Sequence, residues 1–107
     1  MIIREHLTDD AIKKIASESD GMVKVVADIK RGVLSLGCEF HIDCAEELRE
    51  DGAVYENLWG ANVYFKDKRI DFVSLINIRP AAGNRSMEIK DVAVKACVES
   101  VIKKLLF

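Results

Sequence analysis

Residues Asn57–Ile78 read NLWGANVYFKDKRIDFVSLINI, two apolar–polar alternations on either side of the charged loop Lys66–Arg69. That alternation decides the fold. A side-chain period of two belongs to β-strands with one buried face, and a short charged interruption between two such runs predicts a hairpin. Setting Phe65 opposite Ile70 aligns Val63 with Phe72, Ala61 with Ser74 and Trp59 with Ile76. The large apolar side chains then share one face, which is the pairing that stabilises a sheet. The reverse face carries Tyr64, Asp71, Asn62, Gly60, Leu75 and Asn77, with Glu56 opposite Arg79 at its end. This places Ile76 and Ile78 inward and Asn77 and Arg79 outward.

Met22–Asp43 repeats the pattern about the turn KRG. With Ile29 opposite Leu34, the pairs Ala27/Leu36, Val25/Cys38 and Val23/Phe40 fall on one face, while Lys24 beside Glu39 and Met22 beside His41 make the other face polar. Between and around the hairpins the period changes to that of helices. LTDDAIKKIASES has Thr8 as N-cap, Asp9 and Asp10 in the positive first turn, and Ile12, Ile15 and Ala16 on its inner side. DCAEELRE opens with Asp43 and Glu46 spaced as a capping box, and Asp91–Leu106 carries Val94, Cys97, Val98, Val101 and Leu105 at helical spacing. The order β-α-β-β-α-β-β-α predicts an α+β two-layer sandwich: a mostly antiparallel sheet of about five strands with its helices packed on one face.

The bulk numbers narrow the function classes. The chain has 107 residues, half of them hydrophobic, and a formal net charge of −2. One core suffices for that length, and the absence of repeats or linkers assigns residues 1–107 to a single α+β domain. A nearly balanced charge gives no global attraction to nucleic acid or anionic membrane, and exposed aromatics are too few for single-strand stacking. No apolar run approaches the roughly 20 residues of a membrane span. The N-terminus, with Arg4, Glu5 and His6, lacks a leader's apolar stretch, so a cytoplasmic location is expected. The three cysteines are odd in number and widely spaced, without a C-x-x-C pair, which points to reduced thiols, Cys38 and Cys97 acting as small hydrophobes.

Three segments, GCEFHIDCAEEL, NLWGANVYF and SLINIRPAAGNRSMEI, resemble those of an uncharacterised prokaryotic domain-of-unknown-function family of short proteins. The most specific part is the pairing of L-W-G-x-N-x-Y with S-L-I-N-I-R-P-x-x-G-N-R-S. The resemblance covers the chain from about Met22 to the last helix. It implies a small stand-alone cytosolic protein and carries no mechanism.

The first functional expectation is a non-enzymatic binding domain for an anionic ligand, a phosphate or carboxylate, at the Arg79–Ser86 loop. Pro80 forces Arg79 into extended geometry, and Gly83 and Asn84 tolerate left-handed backbone that turns successive N–H groups inward. Arg79, Arg85, Ser86, Asn84, Asn77 and Asn62 would line such a site. The plainer account is a turn whose arginines pair internally, Arg79 with Glu56. A second expectation is a divalent metal held by Glu39, His41 and Asp43, against the plainer role of Asp43 as a helix cap. Cys44 at a helix start near His41 has the ingredients of a thiol nucleophile without the oxyanion donors. A third is a homodimeric interaction module using the reverse sheet face or a free sheet edge.

Overall fold

A computed structural model describes residues 1–107. Its elements run β1 (Ile2–Ile3), α1 (Asp9–Glu18), β2 (Met22–Asp28), β3 (Val33–Leu36), α2 (His41–Glu50), β4 (Leu58–Tyr64), β5 (Arg69–Asp71) and α3 (Val92–Leu106). The fold is α+β, and the strands form one open antiparallel sheet in the order β1-β3-β2-β4-β5. The two hairpins are therefore neighbours, joined by β2 and β4, with Val26 opposite Gly60 and Lys24 opposite Asn62.

Both hairpins pair two residues out of the expected register. Leu34 lies opposite Ala27, not Ile29, and Ile70 lies opposite Val63, not Phe65. In the first hairpin the buried Asp28 carboxylate accepts the N–H groups of Lys30 and Arg31 and the Arg31 Nε–H. The turn is anchored at Asp28, and Gly32, at φ 70°, closes it in a conformation that favours glycine. In the second hairpin Lys68 takes a left-handed φ of 55°, so pairing begins at Tyr64 and Arg69. A slip of two keeps the paired residues on their expected faces, because the strand period is also two; Ile76, beyond β5, does not keep its expected place beside Trp59 and packs in a separate cluster with Val26 and Leu58.

The one-sided arrangement of helices is corrected by the structure. Val23, Val25, Ala27, Leu34, Leu36, Trp59, Ala61 and Val63 form one face, packed on Val98, Val101, Ile102, Leu105 and Leu106 of α3, with Leu7 and Ile15 at the margin. The opposite face holds a second, smaller core, in which Val26, Val33 and Leu58 meet Cys44, Ala45 and Leu48 of α2 together with Ile76. Helices thus lie on both faces. The reason is that Val26, Val33 and Leu58 are apolar on the nominally polar side, and α2 covers them.

Thr8 caps α1 by accepting the Ala11 N–H, and Asp91 caps α3 by accepting those of Ala93 and Val94, as their side-chain chemistry requires. Helix α1 buries none of its residues fully. Helix α2 differs more. It begins at His41 behind Phe40, without a side-chain cap, so Asp43 and Glu46 form no capping box. Gly37, at φ 84°, ends the strand early.

The largest departure lies after β5. The expected strand SLINI is a single 3-10 turn, Leu75–Asn77. Asn77 is completely buried. Its side-chain amide pairs with the backbone of one residue of β4, accepting the Gly60 N–H at 2.8 Å and donating to the Gly60 carbonyl at 2.9 Å. The same nitrogen donates to Met87 O at 3.1 Å. Ile78 is correspondingly exposed. Gly60 is needed for a second reason: a Cβ there would lie 2.5 Å from Ser74 Cβ, 2.7 Å from Ser74 Oγ and 3.2 Å from His41 Cδ2.

Two outcomes follow from this junction. Gly60→Ala forces apart three packed segments and should lower the free energy of unfolding by about 2 kcal/mol, read from the urea midpoint; an unchanged midpoint would show that Ser74 gives way freely. Asn77→Asp removes the donors to Gly60 O and Met87 O while burying a carboxyl, and should cost about 3 kcal/mol, with Asn77→Gln recovering less than half of it.

Candidate functional site

Helix α2 covers only one end of its sheet face. At the other end Lys24 and Asn62, side by side on β2 and β4, floor a hollow of about 370 Å³. Phe40, His41 and Ile42 from the start of α2 form one wall, and Val73, Ser74, Leu75, Ile76 and Met87 form the other. Phe40 is 58% exposed, Ile42 44%, Leu75 71% and Met87 41%, so four large apolar side chains stand around the mouth without partners. Such a concentration on one small surface marks a binding site more often than chance exposure does.

His41 is the polar centre of this hollow. Its Nε2 lies 2.8 Å from Ala61 O, and a carbonyl can only accept, so the neutral ring carries its proton on Nε2. Burial lowers the His41 pKa from the ordinary 6.5, against the opposing effect of the Ala61 carbonyl; Lys24's charge lowers it further, while Asn62 opposes weakly. No hydrogen bond of ordinary geometry reaches the buried Asn62 Oδ1, though Asn62 Nδ2 donates to Val73 O at 3.4 Å. At neutral pH the hollow therefore has one formal charge, the Lys24 ammonium.

The residues expected to hold an anion are dispersed by other tasks. Arg79 donates from Nε to Ile76 O at 3.0 Å, from Nη1 to Tyr55 O at 3.1 Å and Glu56 O at 3.3 Å, and from Nη2 to Leu58 O. It meets the Glu56 backbone, not its carboxylate. The guanidinium also stacks on Trp59 and Tyr55, 4.3 and 4.6 Å from the ring centroids, and burial lowers its pKa. Asn84 is buried. Its amide donates to the carbonyls of Asn77, Ser86 and Glu88 and accepts the Lys90 N–H. Ser86 Oγ accepts the Glu88 N–H. Arg85 is exposed and joins no salt bridge. The turn borders a second hollow of about 360 Å³ with Trp59, Lys90 and Asp91, whose carboxylate offsets the lysine. Only Asn62 of the six faces the larger hollow.

Glu39, His41 and Asp43 do not assemble either. No three His, Cys, Asp or Glu side chains converge as metal ligands; Glu39 and Asp43 are exposed while His41 turns to the sheet. The expectation of three reduced thiols is corrected: Cys38 and Cys44 form a disulfide with Cα atoms 5.7 Å apart, and Cys97 is free and exposed. Gly37 bends the chain so that Cys38 meets the first turn of α2 rather than Val25. The thiol-nucleophile reading therefore lacks a free Cys44.

Lys24, Phe40, Ile42, Leu75 and Met87 escaped sequence reasoning. The alternation of EFHID places Phe40 in the core, and that of SLINI places Leu75 among the polar residues of the reverse face. The usable signal was Gly37, a glycine at which an otherwise regular strand can stop.

Fold and site together define a small α+β protein with an apolar, singly charged pocket on the less covered face of its sheet. The chain belongs to the family described as "Protein of unknown function (DUF5674)", whose model matches residues 1–105. No curated protein and no solved structure matches it. No helix is long and apolar enough to cross a membrane.

His41 gives the site a pH signature. Its folded pKa is depressed, so the unfolded chain takes up a proton first as the pH falls below 6.5. The contribution of neutral His41 to stability is full above that value and declines as the pH falls toward the folded pKa. The thermal midpoint should therefore fall between pH 6.5 and pH 5, about the range in which histidine rather than carboxylate titration dominates. His41→Gln, which keeps a donor for Ala61 O, should flatten this slope; an equally steep slope in the variant would assign it elsewhere.

Proposed function

We propose that the protein binds a small anionic amphiphile, an apolar body ending in a carboxylate or phosphate, in the hollow between the start of α2 and the Ser74–Ile76 turn. The observation that carries this reading is the pairing of an apolar wall with a single cation. Phe40, Ile42, Val73, Leu75, Ile76 and Met87 offer apolar surface, and Lys24 is the only formally charged residue among them. The volume falls within the range of small-molecule sites. The positive end of α2 adds to the same sign, since Phe40, His41 and Ile42 are its first residues.

This keeps the anionic ligand class expected from the sequence and moves its site from the Arg79–Ser86 loop to the polar end of the sheet face. A binding role fits better than catalysis, because the His41 ring is held by a carbonyl and Cys44 is tied up in a disulfide. The exposed rim also favours a second reading, self-association through Phe40, Ile42, Leu75 and Met87.

Calorimetric titration with decanoate and with decanol separates charge from chain. Decanoate is expected to bind about tenfold more tightly, the equivalent of roughly 1.4 kcal/mol from one charge-assisted contact. Lys24→Met should abolish the difference and Leu75→Ser should weaken both ligands. No saturable decanoate binding, or decanoate affinity in Lys24→Met unchanged from that of the parent protein, would sink the proposal. A concentration-dependent solution mass that Leu75→Ser abolishes would support self-association instead.

A further inference from the structure

We propose that the Cys38–Cys44 disulfide is a redox latch on this pocket, ordering its α2 wall when oxidised and releasing it when reduced. The inference concerns control of the site and rests on the binding reading given above. The bond joins residues six apart and encloses Glu39–Asp43. Within that ring lie Phe40, His41 and Ile42, three of the ten residues that line the pocket.

Apart from this bond, the wall's side-chain anchor is the hydrogen bond between His41 Nε2 and Ala61 O. Phe40 and Ile42 are more exposed than buried residues of their type, and α2 begins without a side-chain cap. The body of α2 is secured separately, by Cys44, Ala45 and Leu48 in the smaller core. The ring is short, so its closure removes somewhat less unfolded-state entropy than a longer loop would, and its direct restraint falls on the segment it encloses. The domain already has two hydrophobic cores and needs no staple. The bond therefore acts where it sits, on the pocket wall.

Access to the two sulfurs is unequal. Cys44 is fully buried, and Cys38 is only partly covered, so a dithiol reductant has its approach at Cys38. One of its thiolates attacks Cys38 Sγ, the Cys38–Cys44 bond breaks, and Cys44 leaves as a thiolate that takes up a proton. The second reductant thiolate then attacks the reductant sulfur of the mixed disulfide and expels Cys38, which is protonated in turn. The protein gains two electrons and two protons, and the reductant ends as its cyclic disulfide.

The test compares the full chain, air-oxidised and dithiothreitol-reduced, with Cys38→Ala, which keeps Cys44 packed; all three carry Cys97→Ser to remove the free thiol. Decanoate affinity and amide hydrogen exchange at Glu39–Asp43 are measured for each. Reduction is expected to weaken decanoate about tenfold, as when the competent wall is populated a tenth of the time, and to speed exchange in that segment. Cys38→Ala should match the reduced protein and ignore the reductant. Equal affinity in oxidised and reduced protein would overturn the latch while leaving the binding reading intact. If decanoate binds neither form, the binding reading falls and exchange alone decides the latch: faster exchange on reduction supports it, and unchanged exchange overturns it.

Discussion

The buried amide of Asn77 does for β4 what another strand would otherwise do. Strand β4 spans Leu58–Tyr64, but its outer neighbour β5 covers only Arg69–Asp71, so the peptide groups around Gly60 would lack partners on that side. One side-chain amide presents a donor and an acceptor at peptide-like spacing, and Asn77 applies both to Gly60. With both backbone groups of Gly60 satisfied, the chain can leave the sheet at Ser74 and turn. The turn sends Ile76 into the smaller core and Leu75 to the pocket mouth. The close approach this requires is open to glycine alone, since any Cβ at residue 60 would strike Ser74. Buried backbone groups in irregular segments need such substitutes, and the rest of the loop uses the same device. Asn84 serves the carbonyls of Asn77, Ser86 and Glu88, and Arg79 serves those of Tyr55, Glu56, Leu58 and Ile76.

These substitutions explain what was legible in the sequence and what was not. Alternation reports which face a residue occupies, so the element order, the α+β class and the main core face were all readable. It does not report register beyond a multiple of two, because a slip of two leaves each face intact; Asp28 and Lys68 set the register through turn geometry. Nor does it separate a strand from a short turn with the same parity, which is why SLINI resembled a strand. Asn77 and Arg79 were read as outward-facing because their polarity matched a solvated face. Their partners are backbone groups, all but one of them 10 to 24 residues away, and backbone groups leave no mark in composition. Val26, Val33 and Leu58 lie on the face that the alternation marks as polar, and the neighbouring of β2 and β4 brings them together as a second core.

The pocket takes its electrostatic character from the same geometry. Helix α2 stops short of Lys24 and Asn62, and the Ser74–Ile76 turn closes the gap from the other side, leaving a cleft with apolar walls and a polar floor. His41, drawn against the sheet by Ala61 O, is desolvated and faces Lys24, and both effects favour its neutral form. The two basic side chains therefore do not add. Lys24 is partly exposed and supplies the only formally charged side chain in the lining. A lone cation beside apolar surface complements an anion with an apolar body better than it complements an inorganic ion, which would gain nothing from the walls.

The three helices are held at their starts by different means. Thr8 and Asp91 fix α1 and α3 through side-chain caps, which persist under any redox condition. Helix α2 has no such cap. Because Gly37 ends β3 early, the helix begins at His41 rather than at Asp43, and the residue left at the capping position is Phe40, which has no acceptor to offer. A phenylalanine there is unfavourable for the helix, but it puts an aromatic ring at the pocket mouth. The disulfide from Cys38 to Cys44 restrains the same turn that the missing cap leaves loose. The body of α2 is held by Ala45 and Leu48 in the smaller core, whereas Phe40 and Ile42 lie in the short ring that the Cys38–Cys44 bond closes.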